Sequence, residues 1–216
     1  MSDLTLYLGS RRTSSWSLRP WLALKHCDVP FREIVIPLGT PGTAEAIRQV
    51  SPSGRVPVLR HRDLTVWDSL AICEYLHETI PEARLWPEHP RARAEARAVV
   101  AEMHAGFGAL RQHMSFAIDE RRSNQGRAPG VAEDIARITA IWKDCRHRFG
   151  SGGPYLFGAF SLADCFYAPV VTRFDTYGVE LDPVSRRYAD AVRAVPEFQR
   201  WRAAALEEPW RIARYE

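Results

Sequence analysis

Residues 9–31 read GSRRTSSWSLRPWLALKHCDVPF, and this stretch decides the fold. Just before it, Leu4, Leu6 and Leu8 alternate with Thr5 and Tyr7, the pattern of a half-buried strand. Within it, Leu18, Trp21, Leu22 and Cys27 fall roughly on one face of a helix predicted over 17–27. Pro20 falls in its first turn or just after, where a missing N–H costs least. Between strand and helix stand four hydroxyls, Thr13, Ser14, Ser15 and Ser17. Such residues cap helices. They also stand where free N–H groups and the helix dipole favour an anion. The run therefore reads as a cap or as an anion site.

Working outward, 31–36 is a second strand. A short helix begins at Thr43 and ends near Ser51, before Pro52 and Gly54. Two short strands follow around the polar turn His61–Asp63, and Leu70, Ile72, Cys73, Leu76 and Ile80 mark another helix. Residues 1–80 thus spell an α/β unit with a right-handed parallel βαβ and a terminal antiparallel hairpin. Pro81 to Pro90 is a proline-bounded linker. Residues 91–216 read as all-α: one long helix to about Arg121, a loop over 122–130, and helices over 131–149, 161–176, 184–193 and 197–206. The linker is too short for free motion, so the two units should pack together.

The composition, 46% hydrophobic and 25% charged, is that of an ordinary globular protein. No apolar run approaches the roughly 20 residues that span a bilayer, and the N-terminus lacks the pattern of a secretory signal. The net charge of +3 argues against a nucleic-acid partner. All but Lys25 and Lys143 of the 29 basic residues are arginine, which reads as the codon bias of a GC-rich, bacterial genome. Cys27, Cys73, Cys145 and Cys165 lie far apart without a CxxC, as in a reduced cytoplasmic protein. No His or Cys spacing suggests a metal site.

Four further stretches carry information. In GRVPVL (54–59), the strong trans preference of X–Pro bonds predicts a trans Val56–Pro57 peptide. A cis bond would instead turn the Val56 N–H and C=O outward, toward an extended peptide. Asp68-Ser69 opens a helix, either as a plain cap or as a receptor for an amino-acid headgroup, the helix end taking the carboxylate and Asp68 the ammonium. GAFSLADCFYAP (158–169) holds a capping box of Ser161 and Asp164, with Phe160 and Cys165 at staple positions; its acid should be buried and structural. His104, Phe107, Gly108 and Arg111 share a face if the helix is continuous. Gly106 and Gly108 there cost about 1 kcal/mol each relative to alanine, which a close approach would offset. That face lines a pocket, packs in the core or meets a second subunit.

Taken in order, TSSWSLR, Val56-Pro57, Asp68-Ser69 and FSLAD resemble the cytosolic glutathione S-transferases over nearly the whole chain. The opening is most similar to the zeta-type enzymes, whose helix start reads Ser-Ser-Cys-Ser followed by an aromatic and Arg. Ser14, Ser15, Ser17 and Arg19 match, while Trp16 replaces the cysteine and Leu18 the aromatic. The resemblance implies a thioredoxin-like N-terminal domain that binds glutathione as co-substrate, and a helical C-terminal domain that supplies the pocket for a small electrophile. It implies that Ser14, five residues before Arg19, contacts the sulfur, with Ser15 as rival or helix cap. It implies that Val56 pairs with the cysteinyl backbone across a cis Pro57, that Asp68 and Ser69 hold the γ-glutamyl end, and that Arg55 meets the glycyl carboxylate. His104, Phe107, Gly108 and Arg111 would line the second pocket. A serine cannot form a mixed disulfide, so the expected reaction is thiolate attack rather than thiol transfer. The alternatives are a glutathione-dependent isomerase of a cis-enone diacid and a non-enzymatic interaction module. A homodimer is also implied.

Overall fold

The structure, a computed structural model, describes residues 3–210. The first half forms β1 (Leu4–Gly9), α1 (Ser15–His26), β2 (Arg32–Ile36), α2 (Thr43–Arg48), β3 (Val58–His61), β4 (Leu64–Trp67) and α3 (Ser69–Thr79). The sheet order is β2-β1-β3-β4. β1 runs parallel to β2, with Tyr7 opposite Ile34, and antiparallel to β3, with Leu6 opposite Leu59. β3 and β4 form the expected hairpin. Leu6, Leu8, Val58 and Leu59 are buried, and α1 and α3 pack against each other.

The second half comprises α4 (Pro90–Ala105), α5 (Gly108–His113), α6 (Val131–Phe149), α7 (Leu162–Tyr177), α8 (Pro183–Arg193) and α9 (Pro196–Glu207). Residues 211–216 of the predicted helical unit lie outside the described residues. α7 is buried along almost all its length and packs on α1, α4 and α8. One hydrophobic core therefore runs through both halves. Trp21 of α1 meets Trp201 of α9 edge-on at 5.1 Å, and the Leu162 N–H donates to the Leu85 C=O of the linker at 2.9 Å. The capping box is present: the Ser161 N–H and hydroxyl both donate to Asp164 Oδ2, at 2.8 and 3.1 Å, and Asp164 is fully buried.

Two expectations need correction. The helix predicted to run unbroken from 91 to about 121 stops at Ala105. Gly106 turns extended, Phe107 is left-handed at φ 58°, and α5 restarts at Gly108. A Cβ on Gly106 would stand 2.7 Å from the Glu102 carbonyl oxygen, so this glycine permits the break. The Arg111 guanidinium then donates to the Met103 and His104 carbonyls, two groups that the end of α4 leaves without helical donors. Helix α1 also starts two residues earlier than predicted. Pro20 consequently falls in its second turn, where it withholds the usual helical donor from the Trp16 carbonyl.

Candidate active site

The turn between β1 and α1 is built on Ser10, whose carbonyl accepts the N–H of Thr13 at 3.1 Å and of Ser14 at 2.8 Å. Gly9 makes room for it: a Cβ there would lie 3.1 Å from the Ser14 Cβ and 2.7 Å from Leu38 Cδ1. Ser14 is the N-cap of α1, and its Oγ accepts the Ser17 N–H at 3.4 Å. The cap is therefore Ser14 rather than Ser15. The Ser14 hydroxyl donates to Ser17 Oγ at 2.8 Å, and Ser17 Oγ also accepts the Gly9 N–H at 3.0 Å. Ser15 Oγ instead accepts a bond from Arg173 Nη2 of α7 at 3.3 Å. Both serines are buried.

Beside the start of α1 opens a cavity of about 440 Å³, lined by Trp16, Ser53, Arg55, Val56, Pro57, Trp67, Asp68 and Ser69. The structure thus brings together all five residues predicted from the two dipeptides and Arg55. The Val56–Pro57 bond is cis, against the expectation from X–Pro statistics. Neither the N–H nor the C=O of Val56 has a partner among the described residues. Asp68 caps α3, its Oδ1 accepting the N–H groups of Leu70 at 2.8 Å and Ala71 at 3.3 Å. Ser69 is 1% exposed, and its hydroxyl has no partner among the described residues. A buried hydroxyl without a partner costs free energy, and here it lines a cavity at a helix N-terminus.

Trp16, Ser53 and Trp67 line the cavity without having been singled out from sequence; Trp16 lay inside the hydroxyl run and Trp67 directly before Asp68-Ser69. Trp16 joins the two halves. The guanidiniums of Arg19 and Arg111 lie 4.2 and 4.8 Å from its ring centroid, and the His104 ring meets it edge-on at 5.3 Å. Arg19 is fully buried, also faces Phe166, and leaves Nε and Nη1 without hydrogen-bond partners among the described residues. Burial, helped by Arg111 and Arg173, pushes its pKa down to about 9, which leaves it cationic at neutral pH. His104 Nε2 stands 3.3 Å from Asp68 Oδ2. Burial lowers the His104 pKa; Asp68 opposes the shift, and Arg19 and Arg111 reinforce it. Of the four residues predicted on one helix face, His104 and Arg111 reach the site. Phe107 is buried in the core, and Gly108 opens α5 facing solvent.

Two family profiles match this chain, the glutathione S-transferase N-terminal domain over residues 13–79 and the glutathione S-transferase C-terminal domain over 87–214. The chain belongs to the glutathione S-transferase family. Its relatives include the maleylacetoacetate isomerase of Rattus norvegicus, 33% identical over 82% of this chain and 81% of that one. The maleylacetoacetate isomerase of Pseudomonas aeruginosa is 31% identical over 91% of this chain and 94% of its own. Among solved structures, a Burkholderia glutathione transferase homologue with bound glutathione superposes at a TM-score of 0.73, with 22% identity, covering 95% of this chain and 99% of that one.

Proposed function

We propose that this glutathione transferase binds glutathione across the cavity and activates its thiol for attack on a small electrophile. The unpartnered, buried Ser69 hydroxyl carries the reading. Together with the N–H groups opening α3 it offers donors to the γ-glutamyl carboxylate, while Asp68 takes the ammonium. The unpaired N–H and C=O of Val56 pair with the cysteinyl backbone, and Arg55 meets the glycyl carboxylate. This arrangement lays the sulfur toward the start of α1.

An ordinary cysteine thiol has a pKa of about 8.5 and is mostly protonated at neutral pH. Lowering it by about two units takes roughly 2.7 kcal/mol of preferential thiolate stabilisation. A hydrogen bond to an anion supplies about 1.5–3 kcal/mol, and a helix N-terminus about 0.3–1. Ser14 makes that bond by turning its hydroxyl. It then releases Ser17 as acceptor and receives the Ser17 proton in exchange, so that the Gly9 N–H, Ser17, Ser14 and the sulfur form one chain of donors. Each member polarises the next. Ser15, held by Arg173, has the lesser claim on the sulfur.

Isomerisation is the second reading, and a specific observation favours it. Arg111 and Arg173 stand close enough to Arg19 to add to the lowering of its pKa that burial begins, and Arg19 and Arg111 stack on Trp16. Such a group of cations suits a dianionic cis-enone beside the sulfur, and the isomerase relatives support it. His104 and Arg111 form the near wall of that second site. The enzyme acts in the cytoplasm as a homodimer, the buried free cysteines fitting a reducing compartment. The test is calorimetry with glutathione on the wild type and Ser69→Ala. Binding that weakens about tenfold in the variant supports the site; equal binding, or none in the wild type, refutes it. Parallel assays of conjugation and of cis-enone diacid isomerisation separate the two reactions.

A further inference from the structure

Ser14 holds its place through a turn whose middle peptides find their partners in the helical half. The Glu208 carboxylate, just past α9, is buried against this turn. Its Oε1 accepts the Arg11 N–H at 2.9 Å and Arg11 Nη1 at 3.4 Å; its Oε2 accepts the Arg12 N–H at 3.4 Å. The carbonyls of the same two residues are taken as well. Trp201 Nε1 donates to the Arg11 C=O at 3.0 Å, and the Ile118 N–H to the Arg12 C=O at 3.1 Å. Arg12 Nη2 returns a bond to the Leu206 C=O at 3.4 Å. Both peptide units of residues 11–12 are thereby fixed from the helical half, by Ile118 and by Trp201 and Glu208 near the far end of the chain. The turn then closes on Ser10 and delivers Ser14 as the cap of α1.

We infer that Glu208 is a positioning residue for the sulfur-activating hydroxyl, so that the end of the chain sets the reactivity of a site formed by its beginning. The inference rests on the proposed role of Ser14. Hydrogen bonds to a carboxylate are about twice as strong as neutral ones. Removing that carboxylate leaves two backbone N–H groups in a buried place without acceptors, which the turn relieves by moving. A shift of about 1 Å at a catalytic group costs up to about 100-fold in rate. Among the described residues, Glu208 hydrogen-bonds to Arg11 and Arg12 and to none of the residues lining the cavity, so binding and activation should separate.

The experiment compares wild type, Glu208→Gln and Glu208→Ala in the full chain, each below its measured unfolding temperature. It reads glutathione affinity, kcat and the pH midpoint of the ultraviolet thiolate absorbance of bound glutathione. The inference expects kcat to fall at least about tenfold in Glu208→Ala with affinity changed less than about threefold. The thiolate midpoint moves up with it. Glu208→Gln keeps one acceptor oxygen and falls between the two. A midpoint unmoved in Glu208→Gln, together with one unmoved in Glu208→Ala or an alanine variant that does not fold, makes the contact merely structural and overturns the inference. A wild type that binds glutathione without any lowering of the midpoint instead refutes the role of Ser14 itself.

Discussion

Ser14 does two jobs with one oxygen. Its lone pairs cap α1 by accepting the Ser17 N–H, and its proton, which the hydroxyl gives to Ser17 Oγ, is the one that the proposed function turns toward the sulfur. Ser14→Ala is expected to lower kcat/KM about 10- to 100-fold, the worth of one hydrogen bond to an anion, in a steady-state conjugation assay. Trp16 is the other decisive residue. It stands between the cavity proposed for glutathione and the His104 and Arg111 side chains. Trp16→Cys should raise kcat/KM for a bulky electrophile relative to a small one of the same reactive group by about tenfold, since pocket volume discriminates at that level. An unchanged ratio would show that the indole does not border the second site. At this scale the sequence was partly legible. The hydroxyl run and Asp68-Ser69 could be named because each belongs to a local pattern, and Arg55 only through the family resemblance. Trp16 reads like any core aromatic, and Glu208 finds its partners 196 and 197 residues away, a distance that no local pattern spans.

The elements followed their periodicity. β1 to α3 fell close to where the alternating and helical spacings put them, as did α6 to α9. The break between α4 and α5 escaped because its cause is a contact rather than a pattern: a main-chain approach that only a glycine at 106 allows. Gly106→Ala should destabilise the fold by about 1–3 kcal/mol, read by denaturant unfolding, because its Cβ meets backbone that cannot swing away. The capping box of α7 was legible in full, and it makes its own prediction. Burial raises the Asp164 carboxyl to about 6 in the native state, against bonds from the Leu156 and Ser161 N–H groups and the Ser161 hydroxyl that pull it down. The unfolded chain releases this proton near 3.8. Asp164 therefore adds stability below pH 4 that is lost as pH rises through about 6. The stability difference between wild type and Asp164→Ala, measured from pH 3 to 8, should shrink by about 3 kcal/mol over that window and then stay constant. A remaining deficit at pH 7 reports the orphaned N–H groups.

At the scale of the molecule, the two halves share one core, and the site lies where they meet. His104 from the helical half faces Asp68 of the cavity beside α1 at 3.3 Å. Burial keeps its pKa below the ordinary 6.5, so the ring is neutral at pH 7. Its contribution to stability is accordingly full above pH 6.5 and declines as pH falls through its native value. On protonation it becomes a cation competing for Asp68 with the ammonium that the proposed binding mode places there. The KM for glutathione should rise as pH falls through the lowered His104 pKa in the wild type, and rise less in His104→Asn. The central claim is that a tripeptide thiol ionises more readily in this pocket than in water, because a hydroxyl and the N-terminus of α1 favour the anion. The direct measurement is a pH titration of the ultraviolet thiolate absorbance of bound glutathione in the wild type and in Ser14→Ala. The account predicts a wild-type midpoint about two units below that of free glutathione, and a variant that recovers most of the difference. A wild-type midpoint equal to that of free glutathione, or a Ser14→Ala midpoint equal to the wild type, would contradict it.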